Sequence, residues 1–286
     1  MDPSEIPSVP PSSRKPDREG LPSSYKMRAD AHYVDQLTTR RSEPPLADAP
    51  RTPKRGGDPV VREAREVRDG RGEQQVLAQL LEEIGTIHAS AAMLASDASA
   101  LSRRANVDAL RAHAWRAAWL LRAHALVDGA HHGQIKVRQV GALLAQVRDG
   151  FAPECRLAGM TMQVTAADWH AGVAIDETAL VTGITGAVLA TLAFLPDPSG
   201  SVLAISATTL ANELRALEVS QDEVAIPPAV SSVFFDPSWP ERPGGWLAAL
   251  GAASLKAAAQ LHGGDVVFMA GARRGSTIRL NVHRVS

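Results

Sequence analysis

Nine histidines and one cysteine are the side chains of this 286-residue chain best suited to nucleophilic or metal chemistry. His88 stands in an Ala-rich apolar stretch, Ile84-Gly-Thr-Ile-His88-Ala-Ser-Ala-Ala. On the solvent side of a helix, an imidazole there can act as a nucleophile or carry a group transiently. A partly buried histidine of helix packing is the competing reading. His113 and His124 lie about three helical turns apart, and a metal shared within one chain needs closer spacing such as i, i+4. The Gly-flanked pair His131-His132 reads as solvated. His262 reads as a helix-end residue whose cationic form suits the helix dipole. Cys155 follows Pro153-Glu154 in a stretch read as a loop, with no His or Asp nearby to activate it. A single cysteine excludes an intramolecular disulfide framework and a cysteine-cluster zinc site.

The elements that must position these groups follow from composition and period. Lys+Arg (30) and Asp+Glu (31) nearly cancel, which argues against work driven by general attraction to nucleic acid or an anionic membrane. Residues 1–72 are rich in proline and charge and poor in large apolar groups. They read as a disordered tail, because little burial is available to offset the entropy of ordering. Within the tail, Met27 to Leu37 carries Tyr33, Val34 and Leu37 at helical spacing, a segment that could fold on a partner. No signal-peptide pattern opens the chain. The uncharged run from Thr178 to Pro196 is short for a membrane span and reads as a buried helix, so a cytoplasmic protein is expected.

From Glu73, apolar residues recur at three- and four-residue steps: Leu77, Leu80, Ile84, Ile87, Ala91, Leu94, Ala98 and Leu101. A polar break, Ser102 to Asn106, follows, with Asn106 as the expected N-cap of a second helix ending near Val127. Residues 73–130 therefore read as an antiparallel helical hairpin. Its remaining apolar stripe calls for a second copy, making a four-helix bundle as a homodimer. Residues 135–286 read as a two-layer α/β sandwich, so the overall class is α+β. Its elements are a helix over Val137 to Phe151, a strand over 160–165 and a helix capped by Asp176. A strand pair over 201–207 and 213–220, a helix over 246–262 and a final strand pair over 265–270 and 277–283 complete it.

This order, and four local matches within it, resemble the core of sensor histidine kinases, a phospho-accepting dimerisation hairpin followed by a Bergerat-type ATPase domain. Lys256-Ala-Ala-Ala-Gln-Leu-His-Gly-Gly264 with Gly275-Ser-Thr-Ile-Arg-Leu is similar to the family's terminal helix, His-Gly-Gly turn and closing strand. Glu218 to Pro228 is similar to the strand and glycine box that reads Asp-x-Gly-x-Gly-Ile-Pro in active members. Val233-Phe-Phe-Asp-Pro237 looks like the Phe-Glu-Pro-Phe segment, and Asp176 to Ala193 sits where the asparagine-box helix belongs.

The resemblance assigns roles that this chain's residues do not match. The magnesium-holding asparagines fall on Gly186 and Ala190, which offer no side-chain oxygen to a hard cation. The adenine-reading aspartate falls on Gln221, which retains a carbonyl acceptor. The glycines of that box become Glu223 and Ala225, and Glu223 would repel phosphate if it faced the pocket. The phosphate-side glycine box becomes Leu247-Ala-Ala-Leu-Gly251, keeping only Gly251. His88 matches the phosphoacceptor position, without the acidic neighbour or following proline; an alternative alignment places Thr86 there. The resemblance thus implies a degenerate core with no ATP or Mg²⁺ cofactor. Its expected role is a pseudo-histidine kinase or phosphotransferase-like scaffold whose partners are a histidine kinase or response regulator, not nucleic acid or a membrane. An active kinase with divergent motifs is the alternative.

Overall fold

The computed structural model describes residues 59–95, 99–210, 213–236, 239 and 242–282, with side chains from residue 72 onward. Helix α1 (Pro59–Leu94) opens on a proline, which suits a first helical turn because its missing N–H had no intrahelical acceptor. The first helix therefore begins before residue 73, the expected start of helical periodicity. Glu, Ala and Arg between residues 62 and 68 are good helix formers, so propensity extends the helix where core-forming residues are sparse. The tail reading for residues 1–58, including Met27 to Leu37, lies outside the described residues.

Helix α2 (Ala100–Val127) is capped by Ser99, whose Oγ accepts from the Ser102 N–H at 3.2 Å. The cap is thus Ser99 and not Asn106. Ser102-Arg-Arg forms an exposed first turn, and Leu101, 79% exposed, belongs to the second helix. The hairpin also turns its seam outward. Among the described side chains of α1, Val76, Glu83 and Ser90 are the buried positions, whereas Leu77, Leu81 and Ile84 are exposed, as is Leu121 of α2.

The opposite face of α2 is sunk in the α/β unit, with Trp119, Leu120 and Ala123 fully buried in its core. Strand β1 (Lys136–Gln139) pairs antiparallel with β3 (Gly172–Ile175), a small sheet that sequence reading missed. Val137 is accordingly a strand residue, and helix α3 (Val140–Ala158) starts after it. Helix α3 carries Pro153 and Cys155 inside its span and ends at Gly159, whose φ of 68° fits the left-handed C-cap that glycine adopts without strain. Cys155 is buried in this helix, not placed in a loop. Burial, helped by the Glu154 charge, pushes its thiol up to about 11, which removes it as a nucleophile.

Strand β2 (Thr161–Ala166), helix α4 (Glu177–Leu192) and the strands β4 (Val202–Leu210) and β5 (Glu213–Gln221) follow. A short helix α5 (Val230–Val233), helix α6 (Gly245–Leu261) and strands β6 (Asp265–Ala270) and β7 (Ser276–Asn281) complete the described chain. The main sheet runs β2-β4-β5-β7-β6, with β2–β4 parallel and the other pairs antiparallel. Register aligns Val164, Ile205, Val219, Ile278 and Phe268 in one row across all five strands. This row, four of whose members are buried, belongs to the core under the helices. The alternate positions are more polar; one row carries Ser206, Glu218 and Arg279, with Glu218 and Arg279 paired at 3.3 Å. Such alternation leaves one sheet face to the helices and the other to water, the α+β layering expected.

Candidate functional site

Small side chains let α4 and α6 approach closely where the resemblance puts a nucleotide. A methyl group added to Gly186 would lie 2.5 Å from the Gly251 carbonyl oxygen and as close to Ser254 Oγ. One added to Gly251 would strike the Gly186 carbonyl. One turn earlier, a methyl on Gly183 would lie 2.8 Å from the Ala258 Cβ. Ser254 Oγ donates to the Gly251 carbonyl at 2.9 Å, so this polar group is spent inside the contact. Ala190 is also buried on α4. The residues Leu247 to Gly251 lie within α6, so the segment matched to a glycine box is continuous helix.

Gln221 ends β5 facing the core, between Leu203 and Ser276 in register, and is 4% exposed. Its Oε1 accepts from the N–H groups of Glu223 (2.8 Å) and Val224 (2.9 Å). Its Nε2 donates to the Val224 carbonyl (3.1 Å) and Ser276 Oγ (3.2 Å). The amide is thus consumed in holding the turn that follows the strand. Glu223 is directed toward Arg274, 3.9 Å away, and Arg274 Nε donates to its carbonyl at 3.1 Å. Ala225 bridges to Gly275 through the backbone.

Aromatic rings gather beyond the C-terminal end of α4. Phe234 stacks on Phe268 at 4.3 Å, and Phe194 lies 6.1 Å from Phe234 and 6.4 Å from Trp239. Arg242 lies over Phe234 and Trp239 and donates from Nη2 to the Asp236 carbonyl at 2.8 Å. The Phe234-Phe235 segment therefore packs inward.

On the hairpin, His88 is exposed. Its nearest preceding acids are engaged elsewhere. Glu83 is 1% exposed and accepts from His113 Nδ1 at 2.5 Å, with Arg116 at 3.6 Å. Glu82 accepts from Gln79 at 3.2 Å. Thr86 donates to the Glu82 carbonyl one turn back. Arg116 also donates to Glu154 of α3 at 2.6 Å, and Asp108 takes both Nε (2.9 Å) and Nη2 (2.6 Å) of Arg156. The Arg156 hydrogen bond holds the Asp108 carboxyl below its usual range. With the Trp119 indole N–H donating to the Thr182 carbonyl at 2.9 Å, α2 is pinned to α3 and α4 at three points.

A second cluster, missed by sequence reading, joins the linker after α2 to the ends of α4 and α6. Asp176 caps α4 through the Ala179 N–H (2.9 Å). It also accepts from the Gln134 N–H (2.7 Å) and His131 Nε2 (3.2 Å). Burial opposes its ionisation, but these donors outweigh it and hold the carboxyl below 3.8. The Asp176 N–H donates to His262 Nε2 at 2.9 Å, and His262 Nδ1 donates to the Ala258 carbonyl at 2.7 Å. Both nitrogens of this fully buried ring are committed, and burial lowers its basicity. His262 is therefore a neutral bridge between two helices, which corrects the cationic helix-end reading. His131 is likewise engaged, while His132 is exposed. The cluster draws on residues up to 86 positions apart, so no local pattern announces it. No group of three or more His, Cys, Asp or Glu able to hold a metal occurs among the described residues. No helix among them is long and apolar enough to cross a membrane.

No family model matches the sequence, and no curated protein matches it. Among solved structures, the catalytic domain of the histidine kinase ThkA is similar over 52% of this chain and 95% of its own, at 14% identity and a TM-score of 0.46. The Acinetobacter baumannii histidine kinase AdeS is similar over 74% of this chain and 97% of its own, at 12% identity and a TM-score of 0.45. A bacterial phosphotransferase is similar over 74% and 95%, at 15% identity and a TM-score of 0.45.

Proposed function

We propose that this chain is a two-component-type signalling scaffold, a pseudo-histidine kinase or phosphotransferase-like protein. It dimerises through its hairpin and engages a histidine kinase or response regulator without binding ATP in the usual mode. The observation that carries this reading is the contact of Gly186 with Gly251. Opening a nucleotide cleft there would require separating two helices packed backbone to backbone, with loss of close van der Waals contact along both. The spent amide of Gln221 supports the same reading, since reading a purine would leave the Glu223 and Val224 N–H groups unpaired.

Dimerisation is supported by the apolar stripe of Leu77, Leu81 and Ile84 on α1 and Leu121 on α2, which a second hairpin would cover. Engagement of Glu83 and Glu82 favours the scaffold role over autophosphorylation, because the two acids that precede His88 on α1 already accept hydrogen bonds rather than stand beside its ring. Its exposure keeps it accessible to a phosphorylated partner. Calorimetric titration of the full chain with magnesium-ATP tests the first claim: no saturable heat is expected, and tight binding would transfer the protein to the active-kinase reading. Incubation with a radiolabelled phospho-response regulator tests the second. Transfer to wild type but not to His88→Ala would assign phosphotransfer, and complex formation without transfer would assign the scaffold.

A further inference from the structure

A cleft of about 220 Å³ opens between the linker after α2 and the start of α4, away from the Gly186–Gly251 contact. Its walls include His131, His132, Gln134, Lys136, Arg138 and Glu177, with Asp176 at its base. The two carboxylates on these walls already accept hydrogen bonds. Asp176 receives three donors, and Glu177 receives Arg138 Nε at 2.8 Å. The side chains of Lys136 and His132, by contrast, have no hydrogen-bond or ion-pair partner among the described residues. What remains for a ligand is therefore an ammonium, an imidazole and the outer edge of a guanidinium, a set that offers donors and positive charge.

The loop that presents them is held before any ligand arrives. The His131 N–H donates to the Ala125 carbonyl at 3.0 Å, and the Gln134 N–H to Asp176. At Gly133 the backbone passes so near that an added methyl would lie 2.5 Å from Asp176 Oδ2. Holding the groups in place lowers the ordering cost of binding. We propose that this cleft binds a small phosphoryl-bearing anion, with Lys136 and His132 as its principal contacts and Arg138 at the rim. A phosphoryl group brings up to two charges and three terminal oxygens, enough for all three donors, where a carboxylate brings one charge and two oxygens. This inference does not depend on the nucleotide reading.

Calorimetric titration of the full chain with inorganic phosphate at constant ionic strength tests it. Saturable binding is expected, weakened about fivefold by Lys136→Ala and about fivefold by His132→Ala, the loss usual for one exposed charge-assisted contact. Lys256→Ala removes an exposed charge from α6 and leaves the affinity unchanged. Acetate at equal concentration does not compete. A phosphoserine peptide that displaces phosphate at lower concentration assigns the group to a protein partner, and one that fails to do so assigns it to a free small phosphate. Absence of saturable phosphate binding, equal weakening by Lys256→Ala, or effective competition by acetate would overturn the proposal.

Discussion

His113 of α2 donates to Glu83 of α1 at 2.5 Å, thirty positions away and almost wholly out of water. This bond makes the hairpin a defined pair rather than a loose apolar zipper. It also explains why the face of α1 turned inward is partly polar while Leu77 and Ile84 look outward. Truncating His113→Ala strips a buried carboxylate of its shortest partner and leaves it the Gln79 Nε2 donor at 3.2 Å and the longer contact to Arg116. A destabilisation of about 3 kcal/mol is expected by urea unfolding, since breaking one side of a buried pair costs that order. A loss below about 1 kcal/mol would mean the carboxylate is reached by water.

The outward stripe yields a separate expectation. Ile84→Asp places a charge in the surface where a second hairpin would pack, at a cost of several kcal/mol per interface. Sedimentation should show a dimer for wild type and a monomer for the variant, with the far-UV spectrum unchanged because Ile84 is already exposed within the single chain. A monomer in both cases would remove the bundle.

Gly186→Ala probes the helix contact directly. Alanine is intrinsically about 1 kcal/mol better than glycine inside a helix, so an open cleft would make the change neutral or stabilising. Here its methyl would press on the Gly251 carbonyl and Ser254 Oγ, and a net loss of about 2 kcal/mol is expected from overpacking. Chemical denaturation reads the sign.

Gln221→Glu keeps the shape but turns a donor into an acceptor facing the Val224 carbonyl and Ser276 Oγ. A loss of about 2 kcal/mol at neutral pH is expected, the cost of a buried mismatch. Thermal unfolding that leaves Tm unchanged would show that the side chain is free to turn outward.

His262 supplies a pH dependence. Its basicity is lower in the folded chain than the ordinary 6.5, so its contribution is complete above that value. As pH falls below 6.5 the unfolded chain takes up a proton that the folded chain resists, and stability declines toward the lower folded value. Asp176, held below 3.8, adds a further loss only in stronger acid. Unfolding free energies measured from pH 7.5 to 5 should slope downward in wild type and less steeply in His262→Gln. An equal slope would place the titrating group elsewhere.

Much of the architecture was legible from local pattern. Asp176 as a cap, the helix ending at His262-Gly-Gly and the alternating Ile278 and Leu280 each follow from chemistry within a few neighbouring residues. The hairpin boundaries were less legible. Ser99 and Asn106 are both competent caps, and choosing between them depends on which turn the rest of the fold buries. Val137 was misplaced because one apolar residue beside a helix fits either period.

Residue identity alone determined which groups are missing at the positions the resemblance matches, because Gly186 and Ala190 carry no side-chain oxygen wherever they sit. Only the tertiary structure decided what those positions do instead. Gly186 meets Gly251, Gln221 turns inward to its own loop, and Asp176 gathers His131, Gln134 and His262 from distant parts of the chain. The reason is physical. Side-chain chemistry is a property of one residue, while contact and desolvation belong to pairs whose distance is set by the packing of the whole core.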